Sequence, residues 1–202
     1  MMMKWLAMIL ASMLLAACGG NVRTIEPVRY DFGGLAGSGP GSPIPLAAVE
    51  VQTASWLHGQ AMYFRLAHAE PLRRQSYAES HWAAPPGELL EAYLKRRIVF
   101  GQSDFSGTGC RLQLAMDEFE QRFDDPQNSR LVLEARALLS PLRSSEILSR
   151  RVFLISKPAS GGNARGGATA AREAVQALAD DVAAWLDKLS REKPAILERC
   201  RT

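Results

Sequence analysis

The stretch CRLQLAMDEFEQRF, residues 110–123, decides the fold. Cys110, Leu112, Leu114 and Met116 recur at a period of two, which places them on one face of a β-strand. Phe119 and Phe123 fall on the opposite phase. A strand running through both halves therefore needs a bulge near Asp117, or must be an edge strand that changes sheet face there.

Reading toward the C-terminus, DDPQNS (124–129) is a turn, and Leu131, Leu133, Ala135, Ala137 and Leu139 again run at period two. The corner SPLRSS (140–145) leads into a further strand over Ile147–Ile155, so the three strands form an antiparallel meander. GGNARGG (161–167) then opens a long helix whose apolar stripe is Val175, Leu178, Val182, Trp185, Leu186 and Leu189. A glycine-rich loop before a helix invites a phosphate-binding reading. The Gly-Lys-Ser/Thr and GxGxxG patterns are both absent, so a flexible loop is the better account.

Reading toward the N-terminus, Pro85-Pro86 announces a helix, since proline is tolerated in a first turn where its missing donor costs nothing. Leu89, Leu90, Tyr93, Leu94 and Ile98 form its stripe, and Lys95, Arg96 and Arg97 complement the helix dipole in its last turn. Upstream, Val28–Phe32, Leu46–Val51 and Met62–His68 read as strands, and residues 36–45, rich in glycine, proline and serine, as a loop. The expected class is α+β: a mixed, largely antiparallel sheet with two main helices packed on it, in the order β-β-β-α-β-β-β-α. That order suggests two related halves around one sheet layer.

The N-terminus has a different character. Trp5–Ala17 is apolar except for Ser12, follows Lys4, and is too short to cross a bilayer. A charged start, a brief apolar middle and a small-residue exit make a secretory signal peptide, residues 1–17. Leu15-Ala16-Ala17-Cys18 matches the bacterial lipobox, so Cys18 is the expected site of lipidation. The lipoprotein resemblance implies a diacylglyceryl group and an amide-linked chain on that residue, palmitate being one such chain. With about 0.8 kcal/mol per buried methylene, more than one chain anchors firmly. By the same resemblance to bacterial lipoproteins, Gly19 in place of aspartate implies sorting to the outer membrane, on its periplasmic face. Residues 18–27 then form a tether and 28–202 a single periplasmic domain.

The formal charge of +3 is spread over short basic pairs and triplets, with no stripe suited to nucleic acid. Apart from Cys18, only Cys110 and Cys200 remain. In an oxidising periplasm they are candidates for a disulfide, the alternative being two unrelated thiols. His58, His68 and His81 lack neighbours at metal-ligand spacing, so no metal is expected. The acidic run Asp117, Glu118, Glu120, Asp124 and Asp125 lacks the calcium-loop pattern and reads as a solvated strand face. No set of residues supports a catalytic role, and no cofactor is expected beyond the covalent lipid on Cys18.

Trp56, Tyr63, Phe64 and Trp82 stand beside turn-forming residues near element starts. They are either core packing or the lining of an apolar groove able to hold an acyl chain or a partner's helix. The same stretches carry a family pattern. Trp56-Leu57, Met62-Tyr63-Phe64-Arg65, Tyr77, His81-Trp82, Leu89 to Leu94 and Tyr30-Asp31-Phe32 together resemble the ABC-type transport auxiliary lipoprotein family, over about residues 28–190. The resemblance implies a non-enzymatic component of an MCE-type ABC system that moves lipid between the inner and outer membranes, with an MCE-domain protein and outer-membrane lipid as partners. A structural or assembly lipoprotein, such as a chaperone for an outer-membrane protein, is the alternative. Self-association into a homo-oligomer stays open.

Overall fold

The structure is a computed structural model that describes residues 26–34, 41–98 and 108–201. The apolar run, Cys18 and most of the tether lie outside the described residues.

The strands are β1 (Val28–Tyr30), β2 (Leu46–Thr53), β3 (Ala61–Leu66), β4 (Arg74–Trp82), β5 (Cys110–Phe123), β6 (Ser129–Pro141) and β7 (Ser149–Pro158). Helix α1 (Pro86–Ile98) separates β4 from β5, while α2 (Ala164–Glu192) and a short α3 (Pro194–Arg199) close the described chain. The strands form one sheet in the order β1-β4-β3-β5-β6-β7, with β2 also paired to β5. The class is the expected α+β, and the longest ladders, β5 with β6 and β6 with β7, are antiparallel. The order differs by one strand, β4, and by the short α3.

Strand β4 escapes a periodicity reading because RQSYAESHW is mostly polar on both faces. Its place comes from backbone pairing, antiparallel to β3 and parallel to β1. With four strands ahead of α1 and three after it among the described residues, the two β-β-β-α halves are not matched.

The phase slip in β5 is a bulge. The ladder to β6 shifts register between Met116 and Glu118, leaving Asp117 as the extra residue. Leu112, Leu114, Met116 and Phe119 consequently all reach the core, each at most 2% exposed. The bulge also marks where the neighbouring strand changes. Before it, β2 runs parallel to residues 110–116; beyond it, β3 runs parallel to residues 121–123. The chain between them leaves the sheet through a 3-10 turn, Ser55–Leu57.

Both long helices cover one face of the sheet. The expected stripe of α2 is buried throughout, from Val175 to Leu189, and Leu90, Leu94 and Ile98 of α1 are buried as well. Each large aliphatic side chain so buried contributes about 2 kcal/mol. Helix α1 also shields the outer edge of β2, where the Val51 N–H donates to the Glu91 carboxylate at 2.9 Å. Its basic end is tied down by Lys95 to Glu91 and by Arg97 to Asp180 of α2.

The glycine-rich stretch 161–167 is only partly a loop, because α2 starts at Ala164. The Asn163 side chain caps it, accepting from the Gly166 N–H at 2.9 Å. Gly167 is there for proximity: a Cβ would stand 2.2 Å from Oε1 of Gln121 on β5. Cys110 at the start of β5 and Cys200 just beyond α3 are joined by a disulfide with Cα atoms 4.8 Å apart, pinning the end of the chain to the sheet.

Candidate docking face

Because side chains alternate along a strand, the sheet has a second face opposite the helices. After the bulge, Phe119, Gln121 and Phe123 point toward α2, so Glu118, Glu120 and Arg122 point away from it. On that open face lies a cluster of charged and aromatic groups drawn from β3, β4, β5 and the 3-10 turn.

Glu120 is its centre, with a fully buried side chain. Arg65 Nε donates to it at 2.7 Å, Arg74 Nε at 3.0 Å and Arg122 at 3.1 Å. Arg74 also donates to Glu118 at 2.8 Å. Burial by itself would push the Glu120 carboxyl up, but the hydrogen bonds from Arg65, Arg74 and Arg122 outweigh it and hold the group below the usual range. The same contacts work in reverse on Arg65, whose affinity for its proton is raised chiefly by the bond to Glu120.

Above this charge cluster, the Arg74 guanidinium carbon lies 3.4 Å from the centre of the Trp56 ring. Trp56 meets Tyr63 edge to face, with ring centres 5.2 Å apart. Two of the four aromatics singled out in the sequence are thus side by side and half-buried on the open face. The other two are elsewhere. Trp82 is 3% exposed and packs in the core against Phe32 and Phe119, while Phe64 pairs with Tyr77 and Phe123. The four do not line one groove, because Tyr63 and Phe64 are consecutive in a strand and Trp82 ends a strand under α1's side of the sheet.

The acidic run is only partly a solvated face: Asp117 and Asp124 stay 39% and 44% exposed, while the Glu120 side chain is fully buried. Glu118 and Glu120 are taken up by arginines as described, Asp117 at the bulge is held in two bonds by Arg136, and Asp124 pairs with Arg130. The bonds from Arg136 keep the Asp117 carboxyl below its usual range. Asp125 is the exception in kind, closing the 124–128 turn through its bonds to Gln127 and Asn128. Among the described residues there is no group of three or more His, Cys, Asp or Glu that could hold a metal ion.

A family model described as ABC-type transport auxiliary lipoprotein component matches residues 46–183. The chain belongs to this family. The matched span of this auxiliary lipoprotein contains Trp56, Tyr63, Arg65, Arg74 and Glu120, so the open-face cluster lies wholly inside it. Two solved structures share its fold. One, a Xanthomonas campestris protein of the family DUF330, is 18% identical with a TM-score of 0.65, over 82% of this chain and 99% of its own. The other, an uncharacterized protein, is 12% identical with a TM-score of 0.60, over 80% of this chain and 99% of its own. Among curated proteins no match is found.

The open face of the lipoprotein also carries a groove of about 370 Å³, lined by Gln52, Gln113, Ala115, Arg136, Leu138 and Val152. Arg150 and Arg151 stand at its β7 side, and Arg151 stacks on Phe153. Among the described residues no helix is long and apolar enough to cross a membrane. What the face offers is binding: fixed cations, two aromatic rings and an apolar groove.

Proposed function

We propose that this auxiliary lipoprotein is a non-enzymatic component of an MCE-type ABC system moving lipid between the inner and outer membranes. Acyl chains on Cys18 hold it at the periplasmic face of the outer membrane, which raises the domain's effective concentration near the distal end of the transporter. There the open face of the sheet docks the MCE-domain partner. The observation that carries this reading is the family match over residues 46–183, which encloses both the aromatic-arginine cluster and the whole lining of the groove. A preorganised surface suits docking, because Arg65, Arg74 and Arg122 are already fixed by Glu120 and lose little freedom on binding.

Mild crosslinking in cells, followed by purification of the lipoprotein, tests the partner. Recovery of an MCE-domain protein that is lost in Trp56→Ala supports the reading, and its absence from wild-type material removes it. Anchoring is tested separately by labelled palmitate: incorporation into wild type, and none into Cys18→Ser together with release from the outer membrane, are the expected results.

A further inference from the structure

Strand β7 is the last strand of the sheet, paired on one side to β6. Which of its backbone groups point outward follows from the ladder. The Ala159 N–H donates to the Ser129 carbonyl, and the register from Arg130↔Pro158 to Leu139↔Ser149 is unbroken. Bonded pairs alternate in an antiparallel ladder, so residues 151, 153, 155 and 157 bond to β6. The N–H and C=O groups of Arg150, Val152, Leu154 and Ser156 are therefore directed away from the sheet. Pro158, which has no N–H, occupies the next outward position.

An edge of this kind is ordinarily blunted by charge, a bulge or a covering element. Arg150, Arg151 and Lys157 put charge at its two ends, while the side chains at its centre are apolar and in solvent, Val152 at 61% and Leu154 at 70% exposed. Among the described residues neither α2 nor any loop supplies a backbone hydrogen bond to positions 150–156 from outside the sheet.

We propose that β7 pairs with β7 of a second copy, antiparallel and two-fold symmetric about Phe153. The register is selected by two independent conditions. Centring on Phe153 sets Val152 opposite Leu154 and Arg150 opposite Ser156 of the second copy, all of them outward-bonding positions, which yields about eight hydrogen bonds. It also sets Arg151 opposite Ile155 and Lys157 opposite Ser149, so no cation faces a cation. Moving the centre by one residue, to Val152 or Leu154, still sets outward groups against outward ones but pairs only three of these positions with one another, about six hydrogen bonds, and centring on Leu154 also sets Arg151 opposite Lys157. The pair extends the open face across the two-fold axis and covers the exposed Val152 and Leu154. It stands apart from the transport reading, since it rests on the edge alone.

Sedimentation velocity on the mature lipidated chain in detergent tests the pairing with substitutions that leave the β6 ladder untouched. Wild type is expected to sediment as a dimer. The double variant V152K/L154K sets lysine opposite lysine at both central pairs and is expected to be a monomer. V152E/L154K sets glutamate opposite lysine in this register alone and is expected to return to the dimer. A monomeric wild type, a V152K/L154K chain that stays dimeric, or a V152E/L154K chain as monomeric as V152K/L154K would each overturn the proposal.

Discussion

The Arg74 guanidinium lies 3.4 Å from the centre of the Trp56 ring while its nitrogens reach Glu120 and Glu118. One planar cation is thus held by a π face on one side and by two carboxylates at its edge. This arrangement ties the 3-10 turn that follows β2 to strands β4 and β5, at the point where β5 exchanges one parallel neighbour for the other.

A lysine at position 74 would keep the charge and lose the flat stack and the forked bonds. Arg74→Lys is expected to destabilise the domain by about 1–2 kcal/mol, and Trp56→Ala by a similar amount. Their effects should be less than additive, since each removes the same contact. Urea unfolding of the two single variants and the double variant measures the coupling.

Glu120 contributes to the acid limit of the fold. Its carboxyl is held below the ordinary range in the folded protein, so its contribution is complete above about pH 4.3 and disappears as pH falls through the lowered folded value. Glu120→Gln is expected to cost about 3 kcal/mol at pH 7 and less at pH 3, below the ordinary carboxylate value. Urea midpoints at the two pH values should converge between variant and wild type.

Tyr77 sets the alkaline counterpart. Burial pushes its phenol up to about 12, and its hydroxyl donates to Gln121 Oε1 at 2.9 Å. A raised phenol stabilises the fold below its unfolded pKa of about 10, and this contribution is lost as pH rises through the folded value. In an ultraviolet titration Tyr77→Phe should lack the phenolate step near pH 12 seen in wild type.

Gly167 lets α2 approach β5. Gln121, which a Cβ there would strike, is fixed by the Tyr77 hydroxyl, by Ser129 and by the Gly161 carbonyl. Gly167→Ala is expected to destabilise by about 1–3 kcal/mol, because moving Gln121 breaks this network. In a Gln121→Ala background the same change should cost distinctly less, which thermal unfolding of the four variants would reveal.

The Cys110–Cys200 bond spans 90 residues of sequence, and both cysteines are fully buried. Closing so long a loop lowers the entropy of the unfolded chain, and Cys110→Ser with Cys200→Ser is expected to cost about 4 kcal/mol. The α3 segment should then become the first site of proteolysis. In wild type, a mild reductant should reach the bond only as fast as the domain opens, which thiol labelling over time measures.

Periodicity along the chain was enough to determine which residues of α1, α2, β5 and β6 enter the core. The stripes of α1 and α2, the alternation in β6 and the phase slip at Asp117 are local patterns, and burial of apolar groups on one face leaves a trace every second or every third to fourth residue. Strand β4 left no such trace, being polar on both faces and held by backbone pairing to β1 and β3. The fate of the acidic run was equally invisible, since Arg65 and Arg74 lie 55 and 46 residues from Glu120 and only the assembled sheet makes them neighbours. Tertiary structure alone decided that Trp56 and Tyr63 share the open face while Phe64 and Trp82 turn inward, because which side of a strand meets the helices depends on what lies across the sheet.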